Sequence, residues 1–391
     1  MSVTAPKGFV AAGIAAGIKP SGSSDLALVA TDDGTPVTAA AVFTSNLATA
    51  APVQVSRSHL QATQNQAAAV ILNSGNANAA TGAQGRDDAE RMTALVAEHL
   101  GCRPDDVLVC STGLIGIPLP IDVIAAAIPA LAEARTPDGG NDAATAIMTT
   151  DTHAKQTLVE GDGFAIGGMA KGAAMLAPNM ATMLAVLTTD ARIDQADLQQ
   201  ALQHAVDRSF NALSVDGCTS TNDTVIVLAS GRSSAPVDLA EFQEALTTAC
   251  QDLASQMAGD AEGATKVVRI TVTGAATDDE AQRAARKVAE SQLVKCSLYG
   301  QDPYWGRVVS ELGSAGIAFD PETVTVSYGA HTVCRDGIHH RDHDAAALQA
   351  YMAERHIDLT ADLGLPGGKG TAIILTNDLT HAYIDENMGT S

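Results

Sequence analysis

Residues 171–187 read KGAAMLAPNMATMLAVL: a lysine, a run of small apolar residues, a Pro178-Asn179 turn pair, then an unbroken apolar stretch. The stretch 184–187 is a strand by its aliphatic content and its short length. On residue type alone Thr182 is one more strand residue in an apolar run. Further apolar, β-rich runs lie at 67–72, 107–110, 224–228, 267–273, 323–327 and 371–375.

Amphipathic helices alternate with these strands. From Asp87 onward Met92, Leu95, Val96 and Leu100 recur at helical spacing, and Gly101 stands where a helix stops. Asp194 opens a second helix with Leu198, Leu202, Ala205 and Val206 on one face. Asp238 caps a third, whose stripe is Phe242, Leu246, Cys250, Leu253 and Met257. Thr277 and Glu280 form a capping box for a fourth. Strands and helices in this mixture imply a layered α/β or α+β architecture.

At 391 residues, 46% of them hydrophobic and only 3% aromatic, the chain packs its core from Ala, Val, Leu and Ile. The formal charge of −22 repels phosphate backbones and anionic lipid, which argues against nucleic-acid and membrane partners. Six separated cysteines without a C-x-x-C pair read as buried free thiols in a reducing compartment. The first twenty residues lack the pattern of a secretory signal, and no apolar run is of membrane-spanning length, so a soluble cytoplasmic protein is expected.

Loops are expected at 136–142, 230–236 and 335–344, with 230–236 as the candidate domain boundary. GDGFAIGG, GGMAKGAAM and GGKGT miss the spacing of phosphate-binding loops and read as turn glycines. His339, His340 and His343, near Cys334 and Asp342, match no zinc pattern and read as a solvated polar loop; no metal is expected.

Hydroxyls, amides and glycines gather at strand ends, where α/β proteins build their sites. NSGNAN (73–78) follows one strand and Ser111-Thr112-Gly113 another. Thr149-Thr150-Asp151 follows Ile147-Met148, and SVDGCTSTNDT (214–224) leads into a further strand.

K-G-x-x-M-x-x-P-N-M-A-T-M-L resembles the processing site of the ornithine acetyltransferase family, the ArgJ-type glutamate N-acetyltransferases. NSGNANAATG, CSTGLIG, IMTTDT, STNDT, DAEGATK and DPYWGR resemble the family's other blocks, in order, over essentially the whole chain. Tyr304 stands where the family commonly has Asn, and the tail ENMGTS is shorter than usual.

The resemblance implies an N-terminal-nucleophile-like αββα sandwich with a smaller C-terminal α/β domain. It implies cleavage between Ala181 and Thr182, giving an α chain of 1–181 and a β chain of 182–391. In the latter, 182–235 completes the sandwich and 236–391 forms the smaller region. Thr182 would be the nucleophile, with Thr112 and Gly113 as oxyanion donors. Substrate contacts would come from Thr149 or Thr150, Lys171, Thr182, Glu262, Asn387 and Ser391. The implied reaction carries acetyl from N2-acetylornithine to glutamate in arginine biosynthesis, without a cofactor. Acetyl-CoA is a further donor in some members, and two α and two β chains would associate. An N-terminal-threonine amidase or aminopeptidase of related fold is the competing expectation.

Overall fold

The computed structural model describes residues 3–176, 183–233 and 236–388. They form two compact units, Met1–Asn211 with Cys218–Met257, and Ala212–Gly217 with Ala258–Ser391. The boundary therefore falls at the end of the helix Leu239–Gly259, not at the loop 230–236. That loop changes element without changing unit, because the helix after it packs back on the first unit's sheet.

The first unit stacks two sheets. The four-stranded sheet runs Phe9–Ile14, Leu26–Thr31, Ala69–Asn76, Val107–Leu114. The six-stranded sheet runs Gln66–Ala67, Val37–Phe43, Thr224–Ala229, Leu184–Thr189, Ala165–Lys171, Lys155–Glu160. Alternation along each strand sorts side chains between two cores. Ala27, Val29, Val70, Leu72, Leu108 and Cys110 face inward and meet Met169, Leu184, Val186, Ile226 and Leu228 of the other sheet. Leu28, Ala69, Ile71, Val107 and Val109 face outward, against Met92 and Val96 of the helix Gly82–Leu100 and Ile124 and Ile128 of Ile121–Glu133. A fully buried Leu or Ile contributes about 1.5–3 kcal/mol, so these runs dominate the unit's stability. On the six-stranded sheet, Gly168 is needed for close approach: a Cβ there would lie 3.3 Å from Leu253 Cδ1 of Leu239–Gly259. The layer order is helix, sheet, sheet, helix.

The second unit has a seven-stranded sheet centred on Gly370–Asn377, Val267–Ala275 and His356–Asp362. Ala284 and Val288 of Asp278–Ala289, with Leu298, Leu312, Leu348 and Met352, pack with it.

Several expectations change. The segment 136–142 is not all loop, since the helix Gly140–Ala146 begins inside it. Gly167 and Gly168 are strand residues, not turn glycines. Within 335–344, Ile338–His339 pairs with His331–Arg335 as a short hairpin. Residues 321–323 form a 3-10 turn, and the strand there is Thr325–Tyr328. Thr277 accepts the Glu280 N–H at 3.2 Å, but Glu280 Oε2 is buried without a partner, so only half of the capping box is present. The six cysteines are free, yet Cys218 and Cys296 are exposed and Cys102 is half-buried. Among the described residues no helix is long and apolar enough to cross a membrane.

Candidate active site

The strands Ala69–Asn76 and Val107–Leu114 run parallel and extend further than their apolar content suggests, carrying polar residues to their ends. Asn73 pairs with Ser111, Ser74 with Thr112 and Gly75 with Gly113, and the register then shifts at Asn76. Ser111 Oγ donates to Asn73 Oδ1 at 2.6 Å, and Asn73 Nδ2 donates to the Asn76 carbonyl at 2.8 Å. Thr112 is buried, whereas Gly113 is open to solvent. Gly113 has φ +132°, and a Cβ on it would lie 2.3 Å from the Gly75 carbonyl carbon, so the two backbones meet only because neither has a side chain. The other amides of 73–78 pin loops: Asn76 Nδ2 donates to the Ile117 and Pro118 carbonyls, and Asn78 Nδ2 to the Gly85 carbonyl.

The two sheets are tied together beside this corner by Asn222. Its buried amide nitrogen donates to the Ala77 carbonyl at 2.6 Å and to the Ser111 carbonyl at 2.9 Å. The next residue, Asp223, accepts the Met183 N–H on Oδ1 at 2.9 Å, and its buried Oδ2 has no partner among the described residues. Burial pushes the Asp223 carboxyl well above its ordinary range. The Met183 N–H, Ser220 and the Lys171 charge pull the other way and are outweighed.

Lys171 pairs with Leu184 in antiparallel register, so the Ala181-Thr182 junction falls in the chain connecting two hydrogen-bonded strands. The near flank of that connection is held by Asp151, whose Oδ1 accepts the Gly172 N–H at 2.7 Å and the Lys155 ammonium at 2.6 Å. Its Oδ2 accepts the Thr149 N–H at 3.0 Å and lies 4.0 Å from Lys171 Nζ. Burial opposes ionisation of Asp151, but the Lys171 and Lys155 ammonium groups beside it and the bonds it accepts hold its carboxyl well below the usual range. The far flank is held by Asp223 through Met183. Ala181 and Thr182 themselves lie outside the described residues.

Sequence reading missed three members of this group: Asp151 as an anchor, Asp223, and Lys19. The Lys19 ammonium donates to the Ser24 carbonyl at 2.9 Å and to the Met148 carbonyl at 2.7 Å. Its loop is built on buried Asp25, which accepts the N–H groups of Ala16, Ile18 and Lys19 at 2.6, 2.6 and 2.8 Å. Nothing in the local sequence marks Lys19, because its partner Met148 is 129 residues away. The side chains of Thr149 and Thr150 are both exposed, so burial does not distinguish them.

In the second unit, Glu262 and Asn387 come together although 125 residues separate them. Asn387 Nδ2 donates to Glu262 Oε2 at 2.7 Å. Asn387 ends the short helix His381–Asn387, capped by Thr380, whose hydroxyl accepts the Tyr383 N–H and donates to the Gly263 carbonyl. Ser391 lies outside the described residues. Among the described residues no cluster of His, Cys, Asp or Glu has the makings of a metal site.

An acyl-transfer enzyme needs donors for an oxyanion and a means of holding its substrate's charge, and candidates for both lie at these strand ends. The class is a layered α/β acyltransferase. The chain belongs to the ArgJ family, whose model, described as the ArgJ family, matches residues 10–389. It is 46% identical over 387 residues to the arginine biosynthesis bifunctional protein ArgJ of Streptomyces coelicolor, covering 99% of each chain. It is 48% identical to the ArgJ of Mycolicibacterium paratuberculosis, covering 98% of this chain and 95% of that one. Of solved structures, the ArgJ protein of Bacillus halodurans is 38% identical, with TM-score 0.48, over 52% of this chain and 96% of that chain. The ornithine acetyltransferase of Mycobacterium tuberculosis, complexed with ornithine, is 45% identical, with TM-score 0.43, over 45% of this chain and 94% of that chain.

Proposed function

We propose that the chain cleaves itself between Ala181 and Thr182 and then moves acetyl from N2-acetylornithine to glutamate through an acetyl-Thr182 intermediate. The observation that carries this reading is the pair of buried carboxyl groups flanking the junction, Asp151 on Gly172 and Asp223 on Met183. Both ends of the chain that carries the junction are thus held at fixed positions by side-chain carboxyl groups.

In the cut, the Thr182 hydroxyl oxygen bonds to the Ala181 carbonyl carbon while the peptide C–N bond breaks, and the nitrogen takes up a proton. Water then hydrolyses the ester, restoring the hydroxyl. The Thr182 amine so released, with an ordinary pKa of about 8, acts as general base toward its own hydroxyl. Attack on the acetyl carbonyl expels ornithine, and glutamate's amine then takes the acetyl from Thr182. The Thr112 hydroxyl and the Gly113 N–H stabilise the oxyanion of each tetrahedral intermediate. Lys171 receives the α-carboxylate common to both amino acids. Glu262, steadied by Asn387, receives a substrate ammonium, and Thr149 or Thr150 and Ser391 supply further contacts.

The strands on either side of the cut stay paired through Lys171 and Leu184, so α and β chains remain associated, in our reading two of each. The relatives' designation as bifunctional supports acetyl-CoA as a second acetyl donor to glutamate. A cytoplasmic location fits a biosynthetic enzyme with free exposed thiols. Incubating the protein with N2-acetylornithine, with and without glutamate, tests the reaction. Formation of N-acetylglutamate only in the presence of glutamate is expected; release of acetate at the same rate without glutamate would indicate a hydrolase.

A further inference from the structure

We propose that Lys19 is a second cationic contact for the substrate α-carboxylate, acting beside Lys171; this rests on the acyl-transfer reading. The Lys19 ammonium is fixed by two neutral carbonyl oxygens, those of Ser24 and Met148, at 2.9 and 2.7 Å. An ammonium carries three N–H donors, and these two bonds use two of them. The carboxylate nearest in sequence, Asp25, is spent on three backbone N–H groups.

Position links Lys19 to the candidate chemistry. Its stem lies against Gly75, where a Cβ would come 3.1 Å from Lys19 Cγ. Gly75 is the register partner of Gly113. On the other side, Met148 immediately precedes Thr149, whose N–H is held by Asp151, the neighbour of Lys171. Lys19 therefore stands between the Gly113 corner and the Lys171 pair.

Charge supplies the chemical class of the ligand. Lys171 lies close enough to Lys19 for their charges to repel, and among the described residues no carboxylate accepts a hydrogen bond from the Lys19 ammonium. Burial and the nearby Lys171 both disfavour the charged form of Lys19, and Asp25 and Asp151 only partly offset them. A half-buried ammonium bonded only to neutral carbonyls gains most from an arriving anion, and a carboxylate with two oxygens suits two ammonium groups.

The test compares N2-acetylornithine with its α-carboxamide as acetyl donor for wild type, Lys19→Met and Lys19→Arg. Lys19→Met should raise KM for the acid about tenfold or more, the usual worth of a hydrogen bond to a charged group. It should leave KM for the carboxamide within about twofold, and Lys19→Arg should recover most of the acid's affinity. Equal losses on acid and carboxamide would overturn the proposal, because tying Ser24 to Met148 would then be the whole role of Lys19. An unchanged KM on the acid would also overturn it. If the wild type transfers no acetyl at all, the acyl-transfer reading falls, and calorimetric titration with ornithine and ornithine amide still decides on Lys19. A Lys19→Met loss confined to ornithine supports the contact; equal losses on both, or none, refute it.

Discussion

Asp223 accepts the Met183 N–H at 2.9 Å on one oxygen and keeps the other buried without a partner among the described residues. Its carboxyl is raised above the ordinary value by that burial. For a raised carboxyl the unfolded chain ionises first, from about pH 4 upward, while the folded chain still holds its proton. Stability from this group is thus complete below about pH 4 and falls as pH rises toward the folded value. Asp223→Asn keeps the acceptor for Met183 and removes the titration. Its unfolding free energy minus that of wild type should increase as pH rises above about 4, as read from urea melts. A flat difference would show that Asp223 ionises normally.

Asp151 has the opposite sign. Its carboxyl is depressed by the Lys171 and Lys155 charges, so its contribution is complete above about pH 4 and disappears as pH falls through the depressed folded value. Lys155→Met removes a partner at 2.6 Å whose side chain, like that of Asp151, is fully buried. Breaking such a pair costs about 3 kcal/mol or more at pH 7. Asp151→Asn should show a stability loss that shrinks on acidification below about pH 4; a pH-independent loss would mean the carboxylate charge is irrelevant.

Gly113→Ala brings together a strained φ and an overlap with the Gly75 carbonyl carbon. The strand end must shift, moving the Gly113 N–H. A fall of about a hundredfold or more in kcat is expected, the usual cost of losing an oxyanion donor. Steady-state kinetics on correctly processed protein checks it, and a kcat within about threefold of wild type would remove Gly113 from the oxyanion site.

Asn222→Ala leaves the Ala77 and Ser111 carbonyls without their donor. Unsatisfied buried acceptors cost about 1–3 kcal/mol each, so a loss of roughly 2–6 kcal/mol is expected in urea melts. A change under about 0.5 kcal/mol would show that the sheets do not depend on this tie.

The apolar strands at 184–187, 224–228 and 267–273 were legible because a run of aliphatic residues is a local signal. The four-stranded-sheet partners Phe9–Ile14 and Leu26–Thr31 were not singled out, since both are rich in alanine, which carries weak strand propensity. Thr112, Gly113, Lys171, Glu262 and Asn387 were identified through the family resemblance, and the structure gives the last two a shared hydrogen bond. Asp223 sat within the quoted STNDT, yet the N–H it accepts, that of Met183, lies 40 residues away. Lys19 and Asp151 acquire their surroundings only when the loop at 148–151 meets the end of the strand Ala69–Asn76. The Lys19 bond to Met148 spans 129 residues and the Asp151 bond to Gly172 spans 21, so neither leaves a periodicity to read.

Intact-mass analysis of purified wild type and Thr182→Ala tests the central claim most directly. Wild type should give two polypeptides, 1–181 and 182–391, the second beginning with Thr182, while Thr182→Ala stays whole and transfers no acetyl. A wild-type chain that remains whole while it forms N-acetylglutamate would contradict the account.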